Sequence, residues 1–290
     1  MFIGVDLGGT KIAAALVAET GKIVTDVNIP TEAAKGKKHV IGAIEKAISH
    51  LICTSKEPVK AIGLGVPGPI LYEKGIVIGP PNLPGWKQVN LKQILEKEFK
   101  LPVYVDNDAN CATLAEAKFG AGVGRKHFIY ITVSTGIGGG IIIDGQLYRG
   151  ANGSAGEFGH MIIDPQGFTC GCGNVGCFEA MASGTAIRKR AGMDGASVEL
   201  AARQGDKKAL AVIDETAHYL AVGIANLVNI FNPELVIVGG GVSKMRELIL
   251  NPVRQEFKKY ALYLPAKSVK IVGAKLGTNA GVLGAAALCL

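Results

Sequence analysis

One pattern occurs twice in this chain and limits its fold more than any other feature. "FIGVDLGGTKIAAALVAETGKIV" spans residues 2–24 and "IYITVSTGIGGGIIIDGQLY" spans 129–148. Each has an apolar run, a Gly/Thr-rich elbow, a second apolar run, a turn containing glycine and a third short run. Short apolar, β-branched runs bounded by glycine read as buried strands. The elbows are "DLGGTK" (6–11) and "STGIGGG" (134–140), with turns expected at Gly21 and Gly145. The unit is a β-meander with a tight first hairpin, used twice.

Alternating helices and strands follow each meander. The first half predicts a helix near 37–53, a strand 59–66 and a helix 90–100 capped by Asn90 and stopped before Pro102. A strand 103–106 and a helix 108–119 complete it. The second half predicts helices near 183–204 and 207–231, a strand 235–238 and a helix 243–259 that Ser243 could cap. A strand 268–273 and a final helix 279–289 end the chain. Each half is thus an α/β layer structure. Ligands in such folds sit beyond the carboxyl ends of the strands, so two similar halves imply a cleft between them. The expected division is a small lobe 1–107, with the C-terminal helix 279–290 packed back on it, and a large lobe 108–278.

Charge and composition exclude several functions. The net charge is +7, but the lysines are scattered, and the densest cluster, "KGKKH" at 35–39, reads as a solvated loop or helix start. No nucleic-acid partner is expected. The N-terminus "MFIGVDLGGT" has no basic n-region or cleavage site, and no apolar stretch reaches the roughly 18 residues of a membrane span. No membrane association is expected, and the compartment is the cytoplasm, where disulfides are rare. A homo-oligomer, dimer or tetramer, is expected, and the apolar run 221–231 could be core or interface.

Glycine elbows after buried strands expose backbone N–H groups to an anion. A pair of them could hold a phosphate chain, although either alone is a common hairpin turn. "DLGGTK" adds Asp6, Thr10 and Lys11, a mix suited to magnesium and phosphate oxygens. The spacing is not that of the P-loop. A third run, "IVGGGVS" at 237–243, presents bare backbone on which a flat ring could lie. "VYVDNDAN" at 103–110 ends a strand with acids: by itself it reads as helix capping, or Asp108 serves as a general base with Asn107 holding a neighbouring hydroxyl. "GVPGP" (65–69) and "PPNLPGW" (80–86) are rigid loops, either turns or pocket walls.

Cys170, Cys172 and Cys177, with His160, form a Cys₃His set. That is a structural zinc set, closed to substrate, which would order a loop over 160–179. A metal on one ring nitrogen of His160 leaves the other to donate to a substrate. Glu157 and Glu179 flank this loop. Together with Asn107, Asp108 and His160 they outline a sugar-shaped pocket, although a single glutamate is more commonly just solvated.

"DLGGTK", "GVPGP", "DNDAN", "VSTGIGGG", "GEFGH", "CGCGNVGCFE" and "VIVGGGVS" occur in order across nearly the whole chain. The sequence thereby resembles the ROK family of sugar kinases and repressors, and is most similar to its bacterial glucokinases. The resemblance implies an actin-like (ribonuclease H-like) duplicated α/β fold of two lobes with a central cleft. It implies phosphorylation of the 6-hydroxyl of glucose by ATP with Mg²⁺, supported by a structural Zn²⁺. On the matching positions, Asp108 would be the base, and Asn107, Glu157, His160 and Glu179 would be sugar contacts, with Asn82 and Gly65 lining the same pocket. Gly8, Gly9, Thr10 and Lys11 would form the first phosphate loop, Thr135 and Gly136 the second, and Gly239 and Gly240 the adenosine loop. Asp6 would position magnesium, and His160, Cys170, Cys172 and Cys177 would hold zinc. Kinases for N-acetylmannosamine, N-acetylglucosamine, mannose, allose or fructose remain alternatives. A non-catalytic sugar-sensing repressor is a further one, although the first elbow at residue 6 leaves no room for a preceding DNA-binding domain. Trp86, the only tryptophan, falls in the expected sugar loop.

Overall fold

The computed structural model describes residues 1–80 and 82–290; Pro81, in the expected rigid loop 80–86, lies outside the described residues. Two compact α/β units emerge. One comprises Met1–Val123, Leu147–Ala155 and Thr278–Leu290, and the other Gly124–Gln146 and Gly156–Gly277.

The first unit contains, in chain order, β1 (Phe2–Leu7), β2 (Lys11–Val17), β3 (Ile23–Pro30), α1 (Lys37–Thr54) and β4 (Ala61–Val66). There follow β5 (Ile70–Leu71), β6 (Ile76–Val77), β7 (Val89–Asn90), α2 (Leu91–Phe99), β8 (Val103–Asn107), α3 (Asp108–Phe119) and the C-terminal helix Ala280–Ala287. Its main sheet has the order β3-β2-β1-β4-β8. The meander pairs are antiparallel, and β1, β4 and β8 run parallel. Both faces of β1 and β4 are covered, which explains why β4 is entirely apolar and glycine and why β1 is so apart from Asp6.

The C-terminal helix covers one face of this sheet at main-chain distance. A Cβ on Gly4 would stand 2.0 Å from the Val282 carbonyl oxygen, and one on Gly63 only 1.8 Å from that of Ala285. A Cβ on Gly284 of the helix would likewise stand 1.8 Å from the Cys111 carbonyl oxygen of α3. The opposite face carries α1, whose Val40, Ile44, Ile48 and Leu51 join the core. Helix α3 belongs to this unit, so the observed boundary falls after it rather than before residue 108. The reason is its packing against the C-terminal helix.

The second unit contains β9 (Phe128–Val133), β10 (Ile137–Ile143), the first residue of the short strand β11 (Gln146–Tyr148), whose other two fall in the first unit, α4 (Phe178–Ala182), α5 (Gly184–Ala191) and α6 (Gly195–Arg203). It continues through α7 (Lys207–Phe231), β12 (Leu235–Gly239), α8 (Glu247–Glu256), α9 (Tyr263–Ser268) and β13 (Lys270–Gly273). The sheet order is β11-β10-β9-β12-β13, again a meander followed by two parallel strands. The same connectivity in both sheets is the duplication expected from the repeat, and it agrees with the actin-like α/β fold that the resemblance implies. Residues 221–231 are mainly core: Ala221, Gly223, Ile224, Ala225, Leu227 and Val228 are buried within α7.

Three local expectations differ from the structure. The helix expected over 183–204 is two helices, because Gly192 takes a left-handed φ of 71° and caps α5 while Asp194 opens α6 by accepting from Ser197 N. Ser243 does not cap a long helix. Its hydroxyl donates to the Gly240 carbonyl within a 3₁₀ turn, Val242–Met245, and α8 begins only at Glu247. Helix α9 occupies what reads as a loop before the last strand. Among the described residues no helix is long and apolar enough to cross a membrane.

The glycine contacts give a paired test. Gly63→Ala should lower the unfolding free energy by about 1–3 kcal/mol through overpacking. Gly42→Ala, in α1 with open space around the added carbon, should raise it by about 0.5–1 kcal/mol. Chemical denaturation of both variants checks the contrast, and equal effects would contradict the packing described.

Candidate active site and metal cluster

Register gathers the first set of candidate residues at one edge of one sheet. Asp6 on β1 pairs with Gly65 on β4, and Gly65 pairs with Asp106 on β8. With strands about 4.8 Å apart, Asp6 and Asp106 lie roughly 10 Å from each other. The elbow 8–11 leaves β1, and α3 leaves β8, at this same carboxyl edge.

The elbow is closed by Gly8 N donating to the Lys11 carbonyl at 2.9 Å. The buried Thr31 supports it from below, its hydroxyl donating to Gly8 O at 2.7 Å and its N–H to Thr10 O at 3.0 Å. Thr10 and Lys11 face solvent. Gly9 lies against Asn82, whose Cβ would be 3.0 Å from an added methyl. Asn82 is therefore a neighbour of the elbow. Asp6 is largely covered, with Gly281 of the C-terminal segment against its carboxylate. Burial raises its pKa above the ordinary 3.8, while the Lys11 ammonium pulls the other way.

At the β8–α3 junction Asn107 caps the helix: its Oδ1 accepts from Ala109 N at 2.9 Å and Asn110 N at 3.4 Å. Its Nδ2 donates to Gly68 O at 3.5 Å. Asp108 is the first residue of α3, and its Oδ1 accepts from Ala109 N at 2.8 Å. A carboxylate at a helix N-terminus is favoured by the exposed N–H groups and the helix dipole. Gly65 allows this junction to close down, since its added carbon would lie 3.6 Å from Asp108 Cα and 3.1 Å from Cys111 Sγ.

In the second unit the elbow 134–136 joins β9 to β10. Ser134 N donates to Gly136 O at 2.9 Å, and Ser134 O accepts from Gly184 N at 2.7 Å. Thr185 Oγ1 donates to Thr135 O at 2.7 Å. Glu179 Oε2 accepts from Ile137 N at 2.9 Å, and Gly136 admits that carboxylate because a side chain there would clash with it at 2.1 Å. The third glycine run begins at Gly239, the end of β12. Gly240, with φ 82°, passes over the Val133 backbone at 2.5 Å from where its Cβ would stand. Gly241 N donates to Ser134 Oγ at 3.2 Å, which joins the two glycine loops. Glu157 is exposed and opens the 3₁₀ turn Phe158–His160.

His160, Cys170, Cys172 and Cys177 converge: their ligand atoms all lie within 4.8 Å of one another. Cys170 Sγ is 3.7 Å from His160 Nδ1, and Cys172 Sγ is 3.6 Å from Cys177 Sγ. A tetrahedral ion with bonds of about 2.3 Å to sulfur and 2.0 Å to nitrogen sets its ligands about 3.5–3.8 Å apart. The four residues therefore fit a metal. Short bridges, Ile162↔Cys177 and Thr169↔Val175, hold the loop, and Gly176 fits tightly against the Asp164 carbonyl. Burial raises the Cys170 thiol and pushes Cys177 up to about 12, whereas a hydrogen bond from the Asn174 backbone brings Cys172 down to about 7. A divalent cation would stabilise all three as thiolates.

Three features lay beyond sequence reasoning. Asp106 is the buried acid of "VDND", and Arg149 Nε donates to its Oδ2 at 2.9 Å. Only fold topology pairs residues so far apart along the chain. Trp86 is almost fully buried in the core of the first unit. Glu179 is bound to the second elbow as well as placed beside the metal cluster, with Cys170 Sγ 3.9 Å from its Oε1.

A duplicated sheet of this connectivity, with glycine elbows at its carboxyl edges, defines an actin-like α/β protein. The profile described as "ROK family" matches residues 2–290, so the chain belongs to that family. It is 40% identical to a glucokinase of Thermotoga maritima over 99% of this chain and 96% of that protein. It is 37% identical to a xylose repressor of Caldicellulosiruptor bescii, over 99% of this chain and 77% of that one. A crystal structure of a ROK family glucokinase from Streptomyces griseus in complex with glucose and AMPPNP superposes with a TM-score of 0.86, at 38% identity, covering 99% of this chain and 98% of that chain.

Asp6 yields a signed prediction. Its folded pKa is raised, so its charge opposes folding once pH exceeds the ordinary carboxylate range. Asp6→Asn should therefore raise the melting temperature at neutral pH, and the gain should shrink towards zero as pH falls to about 3.8 or lower. A gain that is instead largest in acid would show the sign to be wrong.

Proposed function

We propose that this chain transfers the γ-phosphoryl group of ATP to the 6-hydroxyl of glucose. The observation that carries the reading is the register of the first sheet, which sets a glycine elbow and a helix-opening aspartate at one carboxyl edge. Family membership and the glucokinase relatives support it. Asp108 accepts the hydroxyl proton as the sugar oxygen attacks phosphorus in line and ADP departs. Asn107, Glu157, His160 and Glu179 accept or donate to the remaining hydroxyls, with Gly65 and Asn82 beside them. Because His160 turns Nδ1 towards Cys170, its Nε2 is the atom available to the sugar. The backbone of Gly8, Gly9, Thr135 and Gly136, with Thr10 and Lys11, binds phosphate oxygens, and Gly239 and Gly240 face the adenosine. Magnesium held through Asp6 would neutralise charge on the transferring phosphoryl group.

The ion of the Cys₃His cluster is zinc, and its role is to hold the 160–179 loop. The protein works in the cytoplasm, where free thiols persist. It acts as a homo-oligomer, for which exposed Ile230, Leu262, Tyr263 and Leu264 offer apolar surface. The likeness to a xylose repressor supports one other reading, a sugar sensor without turnover.

A coupled assay over a panel of hexoses with Mg-ATP separates these readings. Glucose should give the highest kcat/KM, and Asp108→Asn should lose about 10²–10⁴ in kcat while still binding sugar. No turnover with any hexose would leave the sensor. Metal analysis should find about one zinc per chain, and a strong chelator should lower the melting temperature and weaken sugar binding. Full sugar affinity in chelator-treated, metal-free protein would count against the structural role.

A further inference from the structure

Asp106 precedes the proposed base by two residues and is buried at 1% side-chain exposure. Both of its oxygens are engaged. Oδ2 accepts from Arg149 Nε at 2.9 Å, and Oδ1 accepts from Asn107 N at 2.7 Å and from Asn110 Nδ2 at 2.9 Å. Asn110 and Asn107 are in turn joined through the helix cap. One carboxylate therefore ties down the last residue of β8 and the first turn of α3, with Asp108 between them. Arg149 is itself fixed. Its guanidinium carbon lies 3.8 Å from the centroid of the Tyr72 ring. Its own segment closes on itself through Ala155 N donating to Arg149 O at 3.1 Å, and Gly153, at φ 88°, rests on the Ile70 carbonyl.

Stability is a poor explanation for this pair, since buried ion pairs are often replaceable by apolar residues without loss. The charges around Asp108 offer a better one. Cys111, in the first turn of α3 with Asp108, feels Asp106, Asp6, Asp108 and Arg149, and the nearby Tyr72 feels Arg149, Asp106, Tyr104 and Cys111. Lys11 stands beside Asp6. Arg149 is thus the cation that offsets Asp106.

We propose that the Asp106–Arg149 ion pair is a positioning device for Asp108: it locks the first turn of α3 and cancels a negative charge that would otherwise disfavour ionised Asp108. This rests on the reading of Asp108 as the base. Removing the guanidinium loosens the turn and leaves Asp106 repelling the base, so catalysis falls and the base titrates at higher pH.

The test is a pH profile of kcat/KM, with kcat and KM measured separately, for Arg149→Met, Arg149→Lys and the double variant Asp106→Asn/Arg149→Met. Arg149→Met should lower kcat about ten- to a hundredfold, as expected for a misplaced base, with little change in the sugar KM. The acid limb should rise by about one pH unit. Arg149→Lys and the double variant should both return the limb to its original place, because each restores charge balance; they carry the test if Arg149→Met does not fold. In an Asp108→Asn background, Arg149→Met should cause no further loss. An unmoved acid limb, or the same factor lost in both backgrounds, overturns the proposal and leaves a structural ion pair. Normal turnover by Asp108→Asn alone would instead overturn the assignment of the base, whatever Arg149 does.

Discussion

The C-terminal helix lies on β1 and β4 with little more than glycine and alanine between main chains, and the acidic edge of the first sheet takes its geometry from that contact. Gly4 and Gly63 admit the helix from the sheet side, and Gly284 admits the backbone of α3 from the helix side. Gly281, in the first turn of the same helix, closes over Asp6. One short segment thereby sets the depth of Asp6 and the seat of the helix that begins with Asp108. A close-packed interior transmits such constraints because it has no slack to absorb them.

Two acids in one row across this sheet, one buried and one partly so, receive different treatment. Asp106 has a guanidinium, a side-chain amide and a backbone N–H. Asp6 is desolvated, with Lys11 only partly offsetting the cost. The contrast fits their proposed tasks. A group that fixes a neighbour is best fully bonded, whereas one that is to meet a cation from solution must keep capacity in reserve.

The duplicated meander was legible because apolar runs, glycine elbows and turn glycines are local signals, and both sheets follow from them. The cap at Asn90 and the helix starting at residue 108 were legible for the same reason. The Cys₃His set could be read from donor type and spacing alone. What failed was either local punctuation passed over, as at Gly192 and Asp194, or contact over long sequence distance. Trp86 was placed in the sugar loop by its rigid Pro/Gly neighbours, yet its ring belongs to the core. Arg149 had no local signature at all, because its partner depends on which strand ends beside it. Asn107 illustrates a blend: capping and hydroxyl binding read as alternatives, yet its Oδ1 caps α3 while its Nδ2 points elsewhere.

In the second unit Glu179 has one oxygen on the Ile137 amide, immediately after the second elbow, and the other beside the Cys170 sulfur. Such a carboxylate works as a strut. Any slackening of the cysteine loop would reach the hairpin that follows β9 through this one side chain. Whatever orders that loop thus holds the Ile137 amide in place as well.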